Sequence, residues 1–375
     1  MSSSDRGLLP YRLIARLGAI ALFLSTIEYM IPKPVPFMRL GLANIPIMIS
    51  LELLSPLGVA LLVLMKVIGQ ALVNGTLFSY VAIFSLSGTL ASSLIMFMIV
   101  KLLRRHVSYV GISLAGALCS NLVQLTLSRY MIFGQTAWLL APPFLIMGGI
   151  SSLLLGLFTE RFINTSRWYM SHLQGISQEE ELLSTSSSFA LDPRLITGLL
   201  ILPAFLLQES LIGVIIIAVI ALTLARLHGR RIRLVPNVLI FISVVTANLL
   251  QKNGLVITEF FGFEVTSGAL ELGIKKAVTL IGLIYISQFM VSKRPALPGR
   301  FGSLVSLQLY YFEQVLERWK ETNEDSLFSR IDSLMILLEE TTLVDSRIPD
   351  REESKDLLPL YVIIISVCWT LLFIL

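Results

Sequence analysis

The stretch FMRLGLANIPIMISLELLSP, Phe37 to Pro56, decides how many helices the first half of this chain holds. It places Arg39, Asn44, Pro46 and Glu52 within about four helical turns, between strongly apolar flanks. Hydrocarbon penalises unpaired charge and broken backbone alike. The stretch is therefore either a poorly tolerated span or a short helix beside a protected polar pocket. Arg39 and Glu52 are too far apart for an i,i+4 pair on one helix. They either face a bundle interior, where buried charges find partners, or mark the two interfaces of a short helix.

Composition settles the solvent. Hydrophobic residues make up 55% of the 375 positions and charged residues 14%, and the mean hydropathy is +0.81. A soluble domain carries about a quarter charged residues, so an all-α, polytopic membrane protein is expected. The formal charge of +4 comes from short basic clusters between apolar runs, a pattern that argues against nucleic acid. The only cysteines, Cys119 and Cys368, lie in apolar runs, which speaks against a disulfide framework or a cysteine zinc site. His106, His172 and His228 sit beside basic loops without a Cys or carboxylate cluster, so they read as solvated interface positions and no metal site is expected. The start, MSSSDRGLLPYRLIARLGAIALF, lacks a small-residue cleavage site and reads as a retained first helix.

A transmembrane helix needs roughly 20 mainly apolar residues. Leu13–Ile31, Leu57–Val73, Leu77–Val100, Val110–Tyr130 and Ala137–Phe158 qualify, and Leu42–Leu54 is too short to span with ease. After a polar Ser- and Glu-rich segment come Leu195–Leu207, Leu211–Leu224, Leu234–Leu250 and Ala269–Met290, with a last run at the C-terminus. Counting Leu42–Leu54 as a crossing puts the basic clusters at Lys101–His106, Arg226–Arg233 and Ser292–Arg300 on the same side as Arg6, Arg12 and Arg16. The positive-inside rule then gives about eleven crossings in two helical bundles, with a cytoplasmic N-terminus, in the cell's inner membrane. Lys33 and Arg39 are the dissenting charges. The expected units are a membrane domain over 1–165, a linker over 166–190, a second membrane domain over 191–300, cytoplasmic amphipathic helices over 301–356 and a final span over 357–375. The amphipathic stripes are Leu304, Leu307, Tyr311 and Val315, widened by Phe312, Leu316 and Trp319, and then Leu327, Ile331, Leu334 and Leu338.

Polar residues on separate apolar runs mark a candidate pocket. Ser113, Gly116, Ser120, Gln124 and Ser128 recur at helical spacing with Asn121 alongside. Such a stripe either glues helices together or lines a cavity, since Asn and Gln offer donors and acceptors together. Lys66 sits mid-run, where it either meets an anionic group or snorkels to an interface, and Asn74 follows it. With Arg39 at the mouth and Asn44 at the outer end of the short helix, the candidate binding residues are Arg39, Asn44, Lys66, Asn74, Asn121 and Gln124.

LFLSTIEYMIPKPVPFMRLGLANIPIMISLELL, LLVLMKVIGQALVNGTLFS, FSLSGTLASSLIM and GISLAGALCSNLVQL together resemble the Gx transporter family, also labelled heptaprenyl diphosphate synthase component I. The resemblance covers roughly 12–160. Where that family tends to have a histidine before the asparagine, this chain has Ser120. The family is similar in turn to the six-helix, substrate-binding S components of energy-coupling factor (ECF) transporters. In those, a small-xxx-small pair docks the transmembrane partner, which implies a docking role for Ala15 and Ala19. From Leu191, LDPRLITGLLILPAFLL and TSGALELGIKKAVTLIGLIYIS resemble the CbiQ-like transmembrane T component, though no Ala-Arg-Gly-type coupling tripeptide lies between Arg300 and Lys355.

The resemblance implies an S-like and T-like fusion that takes up a small metabolite of vitamin, flavin or isoprenoid type, energised by separate ECF-type ATPases. The alternative is a non-catalytic membrane subunit that serves isoprenoid or quinone synthesis beside a soluble polyprenyl diphosphate synthase, or flavin-linked electron transfer. No GxxxxGK[ST] phosphate loop and no adjacent pair of aspartates occurs, so neither a P-loop ATPase nor a catalytic prenyltransferase is expected, nor a cofactor.

Overall fold

The computed structural model describes residues 10–30, 40–103, 106–173, 192–230, 232–251, 254–260, 263–291, 299–321, 327–340 and 358–374. These residues are almost wholly helical, the class expected from composition. In the first half run α1 (Tyr11–Met30), α2 (Ile45–Ser50), α3 (Pro56–Asn74), α4 (Tyr80–Leu103), α5 (Tyr109–Ser128), α6 (Ala137–Thr165) and α7 (Arg167–Leu173). In the second run α8 (Pro193–Leu206), α9 (Leu211–Leu227), α10 (Leu234–Leu249), α11 (Ser267–Met290), α12 (Gly299–Glu321), α13 (Leu327–Glu340) and α14 (Leu358–Ile374). An antiparallel hairpin of β1 (Val256–Phe260) and β2 (Phe263–Thr266) joins α10 to α11 and was not expected, although the run Val256-Ile257-Thr258 is β-branched and favours a strand.

Helix ends follow local chemistry. Ser55 accepts from the Gly58 amide at 3.2 Å, ahead of Pro56 in the first turn of α3. At the other end of α3, Gly75 takes φ +67°, a left-handed stop that suits glycine. By length and composition, Pro56–Asn74, Tyr80–Leu103 and the continuous helical stretch Tyr109–Thr165 can cross a bilayer. Apolar α8, α9, α10 and α14 are shorter. Leu94, Leu102, Leu139 and Ile146 point outward and are mostly exposed, as lipid-facing side chains are.

The opening stretch resolves into a 3-10 turn at Leu42–Asn44, the six-residue α2 and a closing turn. Six residues rise about 9 Å against roughly 30 Å of hydrocarbon, so α2 does not span by itself. Ile45 through Ser50 are all buried. Within the stretch expected as a linker, Arg167–Leu173 form α7, and residues 174–191 lie outside the described set.

The amphipathic stripes fold as α12 and α13, and these helices do not stand apart. Leu304, Val305, Tyr311, Phe312 and Val315 share one core with α1, α2 and α3. Glycines let α12 in. A Cβ at Gly18 or Gly69 would lie 2.9 or 2.8 Å from Gln308 Nε2, so only a bare backbone admits that side chain between α1 and α3. A second core joins the first half to α10 and α11, and a third holds α8, α9, α11 and α14 together.

The two bundles cross. Gly88 faces Gln124 and Ser120, so α4 and α5 are antiparallel and the turns 75–79 and 129–136 sit at one end of the first bundle. On α11, Gly273 packs on Asn248 while Tyr285 accepts from Asn237. Gln251, at the end of α10, reaches the Phe133 carbonyl at 2.5 Å. At the far end of α11, Ser287 Oγ accepts from the Phe78 amide at 2.9 Å. Positions 273 and 287 are roughly 20 Å apart along the helix, yet both ends of α11 abut the same end of the first bundle. The α10–α11 pair therefore lies across that end rather than alongside it.

Candidate functional site

A polar cavity lies inside the first bundle, lined by α1, α3, α4, α5, α6 and the Leu40–Met48 segment. Lys66, mid-helix in α3 and 3% exposed, donates through Nζ to Asn44 Oδ1 at 2.5 Å and to Thr89 Oγ1 at 3.2 Å. Asn44 reaches it because Gly41, at φ +87°, turns the chain into the 3-10 turn, and Pro46 then starts α2. The cavity holds about 50 Å³ of water-accessible space, room for a few water molecules.

From α5 come Ser113, Ser120, Asn121 and Gln124. Gln124 Nε2 donates to Ser120 Oγ at 2.8 Å, while its Oε1 is buried without a hydrogen-bond partner. Such an orphaned acceptor is costly unless something fills the void. Two glycines make room for these amides. A Cβ at Gly148 would fall 2.0 Å from Asn121 Nδ2, and one at Gly88 2.6 Å from Gln124 Nε2. Ser113 Oγ donates to the Ser152 carbonyl at 2.8 Å and ties α5 to α6. On α5, Gly116 packs against Met96 and Ser92, while Ser113, Ser120, Asn121 and Gln124 line the cavity, so the two alternatives posed for this stripe meet on one helix.

The structure brings Asn44, Lys66, Asn121 and Gln124 into one wall. Asn74 ends α3 and is not among the lining residues. Arg39 lies outside the described residues. Ala15 and Ala19 are fully buried on α1, which packs on α3 and α12. Glu28 is a lining residue that sequence reasoning missed. It is 6% exposed and accepts the Leu40 amide at 2.8 Å, which pins the segment that carries Asn44. Its only signal is a carboxylate inside the apolar run LFLSTIEYM. The wall therefore carries one acid, one base, several hydroxyls and four carboxamides, a set suited to a small molecule rich in donors and acceptors.

Glu52 is elsewhere and structural. Tyr169 donates to Glu52 Oε2 at 3.1 Å, while the buried Tyr109 hydroxyl makes no hydrogen bond of its own. His106 is exposed as expected, but the other two histidines differ from expectation. His172 stacks on Trp168 and lies 3.9 Å from Glu339, and His228 bonds to Tyr361, so neither is merely solvated. Among the described residues, no cluster of His, Cys, Asp or Glu is placed to hold a metal ion.

Residues 17–162 match the family model for heptaprenyl diphosphate synthase component I. The match covers less than half of the chain, but it includes every residue that lines the cavity. Residues 191–293 match a domain of unknown function, DUF8519. That match replaces the CbiQ-like resemblance of the second half, which finds no support in it. No curated protein and no solved structure matches the chain.

Proposed function

We propose that the chain is a membrane-embedded uptake subunit. In this reading the first bundle binds a small polar metabolite, the second bundle is its scaffold, and separate ATPases of the ECF type drive the cycle. It sits in the cytoplasmic membrane with its N-terminus inside. The observation that carries the reading is Lys66, a buried cation held by Asn44 and Thr89 in a cavity of amides and hydroxyls. Ionisable groups buried in membrane bundles mark ligand paths by default. The small void is a closed state, and the Leu40–Asn44 segment, held by Glu28, is the part that moves to admit a ligand. The crossed bundles support a binding unit that shifts against its scaffold.

A second reading follows from the family match. In it, the chain is a non-catalytic membrane subunit beside a soluble polyprenyl diphosphate synthase. The wall fits this less well, because a diphosphate calls for several cations or a metal, and an isoprenoid tail for an apolar lining.

Mass spectrometry of what stays bound after gentle detergent purification separates the two. A polar metabolite should be retained by the parent protein and lost about two- to tenfold more readily from Asn121→Leu, the size of one buried hydrogen bond. Equal retention by parent and variant would move the site elsewhere. A co-purified prenyl synthase with no small ligand would favour the second reading.

A further inference from the structure

The two bundles leave a groove between them that is separate from the polar cavity. One side is α10, where Leu239, Ile242, Thr246, Ala247 and Leu250 fall on a single face about 16 Å long. The other side is the turn after α5 and the start of α6, with Phe133, Leu139 and Leu140. The groove has about 320 Å³ of accessible space, against about 50 Å³ in the cavity. None of its described lining residues is charged. Ser243 Oγ donates to the Ile240 carbonyl at 3.1 Å and Thr136 Oγ1 to the Phe133 carbonyl at 2.6 Å, so both hydroxyls are engaged by their own backbone. An apolar space of this size gives water few partners, and walls without neighbours lose dispersion contacts. Leu139 and Ile242 on its rim are mostly exposed. In a bilayer, lipid tails are the chains at hand to fill it.

A cation stands beside the groove. Arg129 opens the turn Arg129–Phe133, whose last residue lines the groove. Its Cζ lies 6.0 Å from the ring centre of Tyr130 and 5.8 Å from that of Trp138, the residue before Leu139. Tyr130 is 78% exposed and Trp138 52%, and Tyr and Trp gather where hydrocarbon meets headgroups. The two rings steady the guanidinium, and no carboxylate pairs with it among the described residues. Every charged residue in the undescribed sequence stretches 31–39 and 252–253 is basic: Lys33, Arg39 and Lys252. An apolar slot with an unpaired guanidinium at an aromatic belt matches a phospholipid, which carries a tail and a phosphate on one molecule.

We propose that this groove holds a tail of one phospholipid whose phosphate is bound by Arg129, making the lipid part of the seam between the bundles. The guanidinium fork fits phosphate oxygens and binds them through charge-assisted hydrogen bonds. Gln251 Nε2 donates to the Phe133 carbonyl at 2.5 Å and so ties α10 to the turn beside the groove. A tail seated there touches both bundles, which sets it apart from lipid that coats one helix. This site is independent of the uptake reading.

The test uses the full chain, stripped of lipid in mild detergent, with native mass spectrometry to count bound molecules. Phosphatidylglycerol is titrated into one set, and diacylglycerol with the same tails into another. One phosphatidylglycerol should bind the parent protein ahead of all others. Arg129→Gln should weaken that binding about tenfold or more, the size of a hydrogen bond to a charged group. Thr246→Phe, which fills the groove, should exclude the lipid, and Arg226→Gln, on exposed α9 sequence, should leave it bound. Diacylglycerol, which lacks the phosphate, should bind about tenfold more weakly than phosphatidylglycerol and ignore Arg129→Gln. Should Arg129→Gln fail to fold, Arg129→Lys, which keeps the charge and loses the fork, should show a smaller loss, and Thr246→Phe carries the comparison. Equal binding of phosphatidylglycerol by parent and Thr246→Phe, or a loss in Arg226→Gln as large as in Arg129→Gln, overturns the proposal. Diacylglycerol bound as tightly as phosphatidylglycerol overturns it too, and marks the groove as a slot for neutral hydrocarbon.

Discussion

Asp332 caps a helix from 166 positions away. Its carboxylate accepts the Ser166 hydroxyl, the Arg167 amide at 3.1 Å and the Trp168 amide at 3.3 Å, three donors at the start of α7. Removing a capping acceptor costs about 0.5–2 kcal/mol, and here the same bonds hold α13 to the first bundle. Asp332→Ala should therefore lower the denaturation midpoint and speed amide exchange over Arg167–Leu173, while the cavity amides exchange as before. Uniform exchange across the chain would show that the cap is not local. No sequence reading finds this contact, because both partners look like ordinary polar residues beyond an apolar run. Asn44, Lys66, Asn121 and Gln124 were readable for the opposite reason: each is a polar group inside apolar sequence, where burial without partners is expensive. Glu28 has the same signature, but it lies close to the end of its run and passes for an interface residue.

Between helices, the seam of α1 and α3 with α12 is governed by residue size. Ala15, Gly18 and Ala19 line up on α1, and Gly69 faces them from α3 across Gln308. Adding a side chain to so tight a seam costs about 1–3 kcal/mol. Ala19→Leu and Gly69→Ala should each reduce co-purification of residues 1–165 with residues 190–375 expressed as separate fragments. Recovery equal to the parent's would mean that α12 does not hold the halves together. The small-xxx-small pattern pointed to close approach on α1, and the stripes pointed to amphipathic helices within 301–356. Their meeting was not readable, since a 3.6-residue period shows that a face is buried without naming what covers it. Apolar run lengths placed α8 to α11 within a few residues. They failed at Leu42–Leu54, where Gly41 and Pro46 break one apolar run into two turns and a short helix.

Basic clusters order the ends of helices along a membrane, but they carry no information on how one bundle leans on another. Counted as crossings, the turns 75–79 and 129–136 both fall on the outer side of an upright molecule. The contacts give a different geometry. Turn 129–136 meets Gln251 at one end of the α10–α11 pair, with Thr136 Oγ1 3.4 Å from Gln251 Nε2, and turn 75–79 meets Ser287 at the other. If α11 spans the bilayer, the first bundle tips so that its two turns approach opposite faces. Two upright, parallel bundles can satisfy one of these contacts at a time. In a chain with Cys119 and Cys368 replaced by alanine, the pairs Phe78→Cys with Ser287→Cys and Thr136→Cys with Gln251→Cys should both link with a short thiol reagent. Carried together in one chain, the two links should form in the same molecules, which a mass measurement of the doubly linked product reads directly. Linking of only one pair in any molecule would mean that the bundles stand side by side and that the crossed arrangement is wrong.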